Sequence, residues 1–309
     1  MSSFKLKRYE KNPIIKPIIE HPWESVMTFN AGALLLDNKV HLLYRARGTK
    51  SGASRLGYAS SNDGFKIDQR LAEPVYLPDP LHDREAFGCE DPRLTLIGDR
   101  IYMVYSAYGT VPGMDKVIKW VQLAITSISA DDFRNKRWNW SPPVYPFPYT
   151  DNKDSSLLPE KYKGRFVLYH RIPQHIWIGY SEDGINFVDN KIIMQPQGYG
   201  WEYYKIGGGA PPVKTEKGWL MVYHAVDRKL YYRLGLAVFD LQDPSKVIYR
   251  HPEPIFEPVE AYEKNGDTSN VTFSCGAVIK DGQLLVYYGA ADTVIGVASA
   301  EVREILGLF

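Results

Sequence analysis

The sequence of 309 residues contains only two cysteines, Cys89 and Cys275, which lie far apart along the chain. Two isolated cysteines favour reduced, buried thiols over a disulfide-stabilised secreted scaffold. No apolar run approaches the roughly 20 residues that a helix needs to cross a bilayer. The N-terminal stretch MSSFKLKRYEKNP has no apolar segment of the signal-peptide type. These absences predict a cytoplasmic protein that does not interact with a membrane.

The sequence also lacks an excess of charge of either sign, because its formal net charge is +1. No field of the whole molecule therefore attracts nucleic acid, and any anion site must be local. The seven histidines show no paired ligand spacing, so we expect no metal site. The glycine-rich stretch GGGAPP, residues 207–212, lacks the Lys-Ser/Thr of a nucleotide-binding loop. It indicates instead a close approach of two backbone segments.

Tyrosine, in contrast, is abundant at 22 residues, and five of these tyrosines mark a repeat. Each closes an apolar run of strand length, at spacings of 61, 64, 54 and 64 residues: Tyr44, Tyr105, Tyr169, Tyr223 and Tyr287. A turn and a shorter apolar strand precede each run, and a third strand follows it. The sequence contains no long amphipathic helix between these units. Each unit therefore predicts an antiparallel sheet that begins with a hairpin.

Five such units predict an all-β protein, a five-bladed β-propeller with a central active-site cavity. We expect residues 1–309 to form one catalytic domain, with the longest loops at 110–118, 134–152 and 189–206. A pair of β-sandwiches is the alternative, but five evenly repeated units fit it poorly. A propeller would bring residues at equivalent places in each blade to the central axis.

Polar residues recur in phase with the units, next to the first and second strands of each. The acidic members are Glu90, Asp91, Asp154 and Asp292, and the basic ones are Arg45, Arg55, Lys153, Arg171, Lys205 and His224. So many cations at equivalent positions of a neutral chain indicate a bound anion. Phosphate fits best, because arginine matches its oxygens in pairs and lysine adds a point charge.

Several of these residues also have a purely structural interpretation, which the sequence leaves open. Arg93 is as well suited to pairing with Glu90 or Asp91 as to contacting a ligand. Asp154 is also suited to capping a turn. His170 is interpreted as a hydrogen-bonded core histidine, and most of the aromatic side chains as packing between strands.

The motifs CEDPRLT, KDSSLLPEKYKGRFVLYHR, KIGGGAPPVKTEKGWLMVYHAV and VYYGAADT closely resemble glycoside hydrolase family 130. The resemblance extends from about Asn30 to the C-terminus. It implies a five-bladed propeller and inverting phosphorolysis of β-mannosides, a glycosyltransferase-class reaction. Inorganic phosphate is then the co-substrate, no other cofactor is needed, and the product is α-mannose 1-phosphate. In this family the acid is thought to protonate the mannose 3-hydroxyl, which relays a proton to the glycosidic oxygen.

The resemblance also implies roles for individual residues. Asp91 is the expected general acid, and Glu90 and Arg93 are expected to shape its surroundings. The candidate phosphate ligands are Arg45, Arg55, Lys153, Arg171 and His224. The candidates for contacts with the mannose are Asn30, Asp154, Lys205 and Asp292, with Tyr203, Tyr204 and Tyr232 along the pocket.

Three other functions stay open at this stage. One is a β-mannosidase that uses water, as a minority of the family does. A second is another five-bladed glycosidase, such as an arabinofuranosidase, in which Glu90, Asp154 or Asp292 is a second catalytic carboxylate. The third is a propeller that binds sugar without catalysis. The linkage of the substrate, β-1,2 or β-1,4 or mannosyl-glucose, and the oligomeric state, including a homo-oligomer, are not specified by the sequence.

Overall fold

A computed structural model describes residues 4–79, 83–110 and 119–309. Its strands form five separate antiparallel sheets, with one sheet for each predicted unit. The inner strands of successive sheets contact one another around a ring. The prediction of a five-bladed β-propeller is therefore confirmed.

The strands follow the chain blade by blade, except that β1 (Lys7–Arg8) belongs to the last blade. Blade 1 contains β2 (Met27–Leu36), β3 (Lys39–Arg47), β4 (Arg55–Ser61) and β5 (Gln69–Arg70). Blade 2 contains β6 (Gly88–Ile97), β7 (Arg100–Thr110) and β8 (Lys119–Ser129). Blade 3 contains β9 (Lys153–Leu157), β10 (Phe166–Ile172), β11 (His175–Ser181) and β12 (Val188–Met194). Blade 4 contains β13 (Lys205–Gly208), β14 (Val213–Lys214), β15 (Trp219–Val226), β16 (Tyr232–Phe239) and β17 (Val247–Arg250). Blade 5 contains β18 (Thr272–Lys280), β19 (Gln283–Ala290) and β20 (Val294–Glu301).

The helices of the described ranges are short: α1 (Ala130–Arg134), α2 (Ala261–Lys264), α3 (Val302–Leu306) and single 3₁₀ turns at Asp83–Glu85 and Gly200–Glu202. None of them is long and apolar enough to cross a membrane. Of the long loops that the sequence predicts, 134–152 is largely irregular, whereas 189–206 contains most of β12 and the start of β13. Residues 111–118 lie outside the described ranges.

The second and third strands of the blades are almost continuously buried, because each blade is covered on both faces by its neighbours. Apolar clusters fill the spaces between successive blades. Leu43 and Met103 belong to the cluster between blades 1 and 2. Tyr169 and Met221 belong to the cluster between blades 3 and 4. Burial of these runs fixes the blades around the axis, and with them the inner strands.

The N-terminus closes the ring, which the sequence did not indicate. β1 pairs with β20 through Lys7 and Ser299, so the first strand of the chain is the outer strand of the last blade. An isolated bridge between Ile15 and Ile295 adds to this pairing. The closure joins the two ends of the chain by backbone hydrogen bonds, so the first and last blades cannot separate without breaking them.

The repeated tyrosines anchor the segments that lead into the inner strands. A fully buried glutamate just before the inner strand accepts a hydrogen bond from a tyrosine of the second strand. The pairs are Glu24–Tyr44, Glu85–Tyr105, Glu202–Tyr223 and Glu263–Tyr288. In blades 1, 4 and 5 an arginine of the outermost strand also pairs with the glutamate, and these are Arg70, Arg250 and Arg8. In blade 3, Tyr169 donates to the carbonyl of Pro244 instead.

The equivalent tyrosine of blade 5 is therefore Tyr288, one residue beyond the Tyr287 that the spacing predicted. Tyr288 lies opposite Gly296, as Tyr223 lies opposite Gly235. In both cases a Cβ on the glycine would lie 2.4–2.5 Å from Cζ of the tyrosine ring. The third strand thus needs glycine at this position because the ring occupies the space of a side chain.

Removing one of these hydroxyl groups gives a direct test of the anchor. Tyr223→Phe leaves the ring in place but takes a donor from the buried Glu202 carboxylate. We expect the free energy of unfolding to fall by about 1.5–3 kcal/mol, the usual value for a hydrogen bond to a charged group. Denaturant unfolding measures it, with Tyr204→Phe at a 47% exposed tyrosine as the control. A loss no larger than that of the control would show that the anchor contributes little.

Candidate active site

A cavity of about 190 Å³ lies where the inner strands of the blades meet, and it has room for a ligand much larger than one water molecule. Eleven of the fifteen residues predicted for the site line it: Asn30, Arg45, Glu90, Asp91, Lys153, Asp154, Arg171, Lys205, His224, Tyr232 and Asp292. Residues that are up to 262 positions apart, from Asn30 to Asp292, thus contribute to one cavity.

Irregularities in the inner strands orient three of the polar side chains. Asn30, Asp91 and Asp154 have φ values of 51°, 54° and 53°. Each lies where the pairing of its strand shifts register, between Phe29 and Gly32 in β2 and at the corresponding points of β6 and β9. Such a bulge turns one side chain out of the regular alternation. Asparagine and aspartate tolerate this left-handed backbone better than other residues with a Cβ.

Asp91 lies in a hydrogen-bonded group formed by blades 1 and 2. Asn30 Nδ2 donates to Asp91 Oδ1 over 2.8 Å, and an Arg45 guanidinium nitrogen lies 3.2 Å from the same oxygen. Arg45 also pairs with Glu90 and donates from Nε to Ser54 Oγ over 2.9 Å. Its guanidinium carbon lies 4.5 Å from the centre of the Phe29 ring. These contacts hold Arg45 in one position.

Asp154 is the centre of a second group, formed by blades 3 and 4. Its Oδ2 lies 2.9 Å from Arg171 Nε and 3.5 Å from His224 Nε2. Burial alone would raise the pKa of Asp154, but Arg171 and the other nearby cations outweigh it and hold the pKa below its usual range. Asp154 is therefore ionised at neutral pH.

Two lysines of this second group have no acidic partner. Within the ranges that the structure covers, neither Lys153 Nζ nor Lys205 Nζ lies within 4 Å of a carboxylate oxygen, although both residues line the cavity. Lys205 Nζ lies 5.2 Å from the centre of the Tyr232 ring. Burial, together with Arg171, lowers the pKa of Lys205 to about 8. The cavity thus contains positive charge that no carboxylate neutralises by direct contact.

His224 is a neutral member of the same group. Burial and the nearby Arg171 lower the pKa of this histidine to about 3, against an opposing effect of Asp154. Its Nδ1 is buried and finds no hydrogen-bond partner among the described residues. His224 therefore contributes a hydrogen-bonding imidazole rather than a positive charge at neutral pH.

The glycine-rich stretch lies directly beneath the second group. A Cβ on Gly207 would lie 2.5 Å from the His224 ring and 2.6 Å from Asp154 Oδ2, and a Cβ on Gly208 would lie 2.7 Å from the carbonyl oxygen of Asp154. The close backbone approach that the sequence predicted for this stretch is confirmed. The absence of side chains here lets blades 3 and 4 bring Asp154 and His224 together.

Asp292 lies next to the Asp91 group and is half-buried in the cavity wall. Burial raises the pKa of Asp292 to about 6, while a hydrogen bond from Thr268 and the charge of Arg45 oppose the rise. Together with Glu90 and Asp91, Asp292 makes this side of the cavity acidic.

Four of the predicted site residues do not line the cavity. Tyr204 is one of them, with 47% of its surface exposed. Arg93 lies beneath it with 1% of its surface exposed, where Nε donates to the Gly209 carbonyl over 2.6 Å. Tyr203 lies in a separate surface groove, with the Arg228 guanidinium 4.0 Å from its ring centre. Arg55 begins β4 opposite Ala46, outside the cavity. The propeller brings equivalent positions to the axis, and most of the residues that line the cavity come from the inner strands and the adjacent ends of the second strands.

Because Arg55 and Arg93 lie outside the cavity and His224 is neutral, the cavity holds no excess of cations. The excess of basic residues that the sequence predicted is therefore not found. Its four cationic residues, Arg45, Lys153, Arg171 and Lys205, match its four acidic ones, Glu90, Asp91, Asp154 and Asp292. The charges are instead separated by position. Three of the four acids lie on blades 2 and 5, and three of the four cations lie on blades 3 and 4.

The structure also settles the position of His170 and reveals wall residues that the sequence did not indicate. His170 is buried between Asn152 and Asn190, outside the cavity, as expected of a core histidine.

Thr268, Val271 and Phe273 complete the wall from the segment that enters blade 5. The sequence offers little signal for the last two, because apolar residues at the start of a strand resemble core residues. No group of histidine, cysteine and acidic side chains in the described ranges has the arrangement of a metal site.

Comparison with known proteins gives consistent matches over the whole chain. The model of the family Glyco_hydro_130, described as beta-1,4-mannooligosaccharide phosphorylase, matches residues 5–309. A beta-1,2-mannobiose phosphorylase of Thermoanaerobacter sp. strain X514 is 44% identical, over 98% of this chain and 99% of the relative. A 1,2-beta-oligomannan phosphorylase of the same strain is 41% identical, over 97% and 99%. The structure of the beta-1,2-mannobiose phosphorylase of Listeria innocua with beta-1,2-mannobiose superposes with a TM-score of 0.82 at 28% identity, over 98% and 99%.

Proposed function

The chain belongs to glycoside hydrolase family 130, and from that premise we propose that it cleaves β-mannosides with inorganic phosphate. The products are α-mannose 1-phosphate and a sugar shortened by one mannose. The bond between the anomeric carbon and the glycosidic oxygen breaks, a new bond to a phosphate oxygen forms on the opposite face, and a proton passes to the leaving sugar.

The observation that carries this proposal is the separation of charge in the cavity. A carboxyl group suited to proton donation, Asp91, lies on the acidic side, while Lys153, Arg171 and Lys205 lie on blades 3 and 4. Asp91 is on blade 2 and is held by Asn30 and Arg45 of blade 1, whereas the three cations are on blades 3 and 4. An anionic nucleophile bound by these cations would face a sugar that lies between it and Asp91, while Asp154 neutralises only part of their charge.

From the contacts we propose roles for some residues that differ from those expected from the sequence. Arg45 is engaged by Glu90 and Asp91, so we assign it to holding the acid rather than to phosphate. Lys205 joins Lys153 and Arg171 as a phosphate ligand, because its ammonium group is free of acidic partners and electrostatically coupled to both. His224 would bind phosphate as a neutral donor.

The relatives favour β-1,2-linked mannosides as the substrate. The two curated relatives above 40% identity are named for β-1,2-mannobiose and 1,2-β-oligomannan, whereas the description of the family model names the β-1,4 linkage. We therefore propose β-1,2-mannobiose or a short β-1,2-oligomannan as the donor of the mannosyl group.

A product assay tests the proposal. The enzyme is incubated with β-1,2-mannobiose and, separately, β-1,4-mannobiose, each with and without inorganic phosphate. We expect α-mannose 1-phosphate and mannose in equal amounts, only with phosphate, and faster release from the β-1,2 substrate. Equal rates without phosphate and free mannose as the sole product would identify a hydrolase instead.

The pKa of Lys205 leads to a prediction about pH. Its charge is present below about pH 8 and is lost as the pH rises through that value, so phosphate binding should weaken between pH 7 and pH 9. Arginine stays charged throughout this range. In Lys205→Arg we therefore expect KM for phosphate to rise less between pH 7 and pH 9 than in the wild type. The ionisation of phosphate itself affects both enzymes equally, so a comparison of the two removes its contribution. Parallel pH profiles of KM for phosphate would exclude Lys205 from the phosphate site.

A further inference from the structure

The two carboxyl oxygens of Asp91 have different surroundings. Oδ1 lies 2.8 Å from Asn30 Nδ2 and 3.2 Å from a guanidinium nitrogen of Arg45. Both of these groups are obligatory donors of blade 1. Within the ranges that the structure covers, no donor of the protein contacts Oδ2. The carboxyl group is therefore held at one oxygen only.

This asymmetry determines which oxygen carries the hydrogen of the neutral acid. A carboxyl oxygen that already accepts two hydrogen bonds has both lone pairs engaged. We propose that Asn30, together with Arg45, positions Asp91 so that Oδ2 carries and delivers the transferred proton. This inference rests on the proposed function, and it makes Asn30 a positioning residue that acts through Asp91.

Asn30 is fixed in a way that suits this role. Its φ of 51° at the bulge of β2 directs the side chain across the boundary between the blades. Its amide oxygen lies against Gly289 of blade 5, where a Cβ would be only 2.1 Å away. The amide is thus confined between blades 2 and 5, so its Nδ2 remains directed at Asp91.

The other charged groups around Asp91 come from three elements. Arg45 lies on β3, Glu90 and Arg93 lie on either side of Asp91 on β6, and Asp292 follows β19. The buried thiol of Cys275 on β18 is also within the electrostatic reach of Asp91. None of these groups is changed by a substitution at Asn30, so a change in rate reports on the lost amide donor.

A double-mutant cycle tests the inference in the full-length enzyme. Asn30→Gly accepts the same backbone and removes the donor, and we expect kcat with β-1,2-mannobiose and phosphate to fall about tenfold, which corresponds to about 1.4 kcal/mol. KM for phosphate should stay within about twofold. In an Asp91→Asn background, Asn30→Gly should cause no further loss, because Asn30 acts only through the acid.

Two further variants complete the design. Asn30→Ala removes the donor without adding a charge next to Asp91, so it should reproduce the loss if Asn30→Gly folds poorly. Asn38→Gly, at a remote turn with φ of 59°, controls for the substitution itself. Multiplicative losses in the cycle, or full activity of Asn30→Gly, would overturn the inference. If the wild-type enzyme shows no phosphorolysis, the proposed function is refuted and not this inference. If it hydrolyses the substrate instead, the same double-mutant cycle is measured on the rate of hydrolysis.

Discussion

Asp91→Asn is expected to lower kcat for phosphorolysis of β-1,2-mannobiose by at least ~100-fold, the lower end of what a positioned general acid contributes. The asparagine has the same shape, and its carbonyl oxygen can keep the two hydrogen bonds that Asn30 and Arg45 donate to Oδ1. Its amide nitrogen would take the place of Oδ2, and the hydrogens of an amide are far too weakly acidic to be transferred to the leaving sugar. The variant should therefore retain the fold and lose the chemistry.

Two measurements separate this loss from a structural defect. Thermal unfolding should give a midpoint close to that of the wild type. Asp189→Asn is a matched control, because Asp189 also has a left-handed backbone, with φ of 55°, but lies on the outer strand of blade 3 and pairs with Arg165. Its activity should equal that of the wild type. Near-full activity of Asp91→Asn would show that another group donates the proton.

The tyrosine repeat was sufficient to predict the propeller because it reflects a contact that recurs. In blades 1, 2 and 4 the repeated tyrosine reaches a buried glutamate, as Tyr223 reaches Glu202, whereas Tyr169 and Tyr287 donate to backbone carbonyls instead. The glutamates themselves, such as Glu24 and Glu85, were not identified from the sequence. They lie in irregular segments of differing length, where a single acid has no periodic signal.

The cavity could also be predicted from residues that recur with the repeat, but only in part. Asn30, Asp91 and Asp154 belong to polar clusters near the start of the inner strands, and the recurrence of these clusters in phase with the units pointed to the axis. The sequence could not indicate how charge is distributed across the cavity, because that depends on which side of each strand a bulge exposes. Arg93 illustrates the limit, since it is two residues from Asp91 and yet its side chain lies under the cavity floor.

Arg93 joins three inner strands, and its replacement should have the largest effect on stability. The guanidinium donates to the carbonyls of Gly208, Gly209 and Asp91, and lies 3.6 Å from Asp154 Oδ1. Arg93→Met fills much of the same space but leaves these oxygens without their donor. Removing one partner of a buried ionic network typically costs about 3–5 kcal/mol, so we expect a loss of that size in the free energy of unfolding.

The source of that cost can be identified with a second substitution. If the buried Asp154 carboxylate accounts for much of the loss, Asp154→Asn should cost less stability in the Arg93→Met background than in the wild type. Arg134→Met, at an exposed arginine that pairs with Asp37 on the surface, should change the unfolding midpoint little. Equal effects of Arg93→Met and Arg134→Met would mean that the inner strands are held by apolar packing between the blades alone. A large and non-additive loss would mean that one arginine fixes both Asp91 and Asp154, and therefore the distance between the acidic and the cationic sides of the cavity.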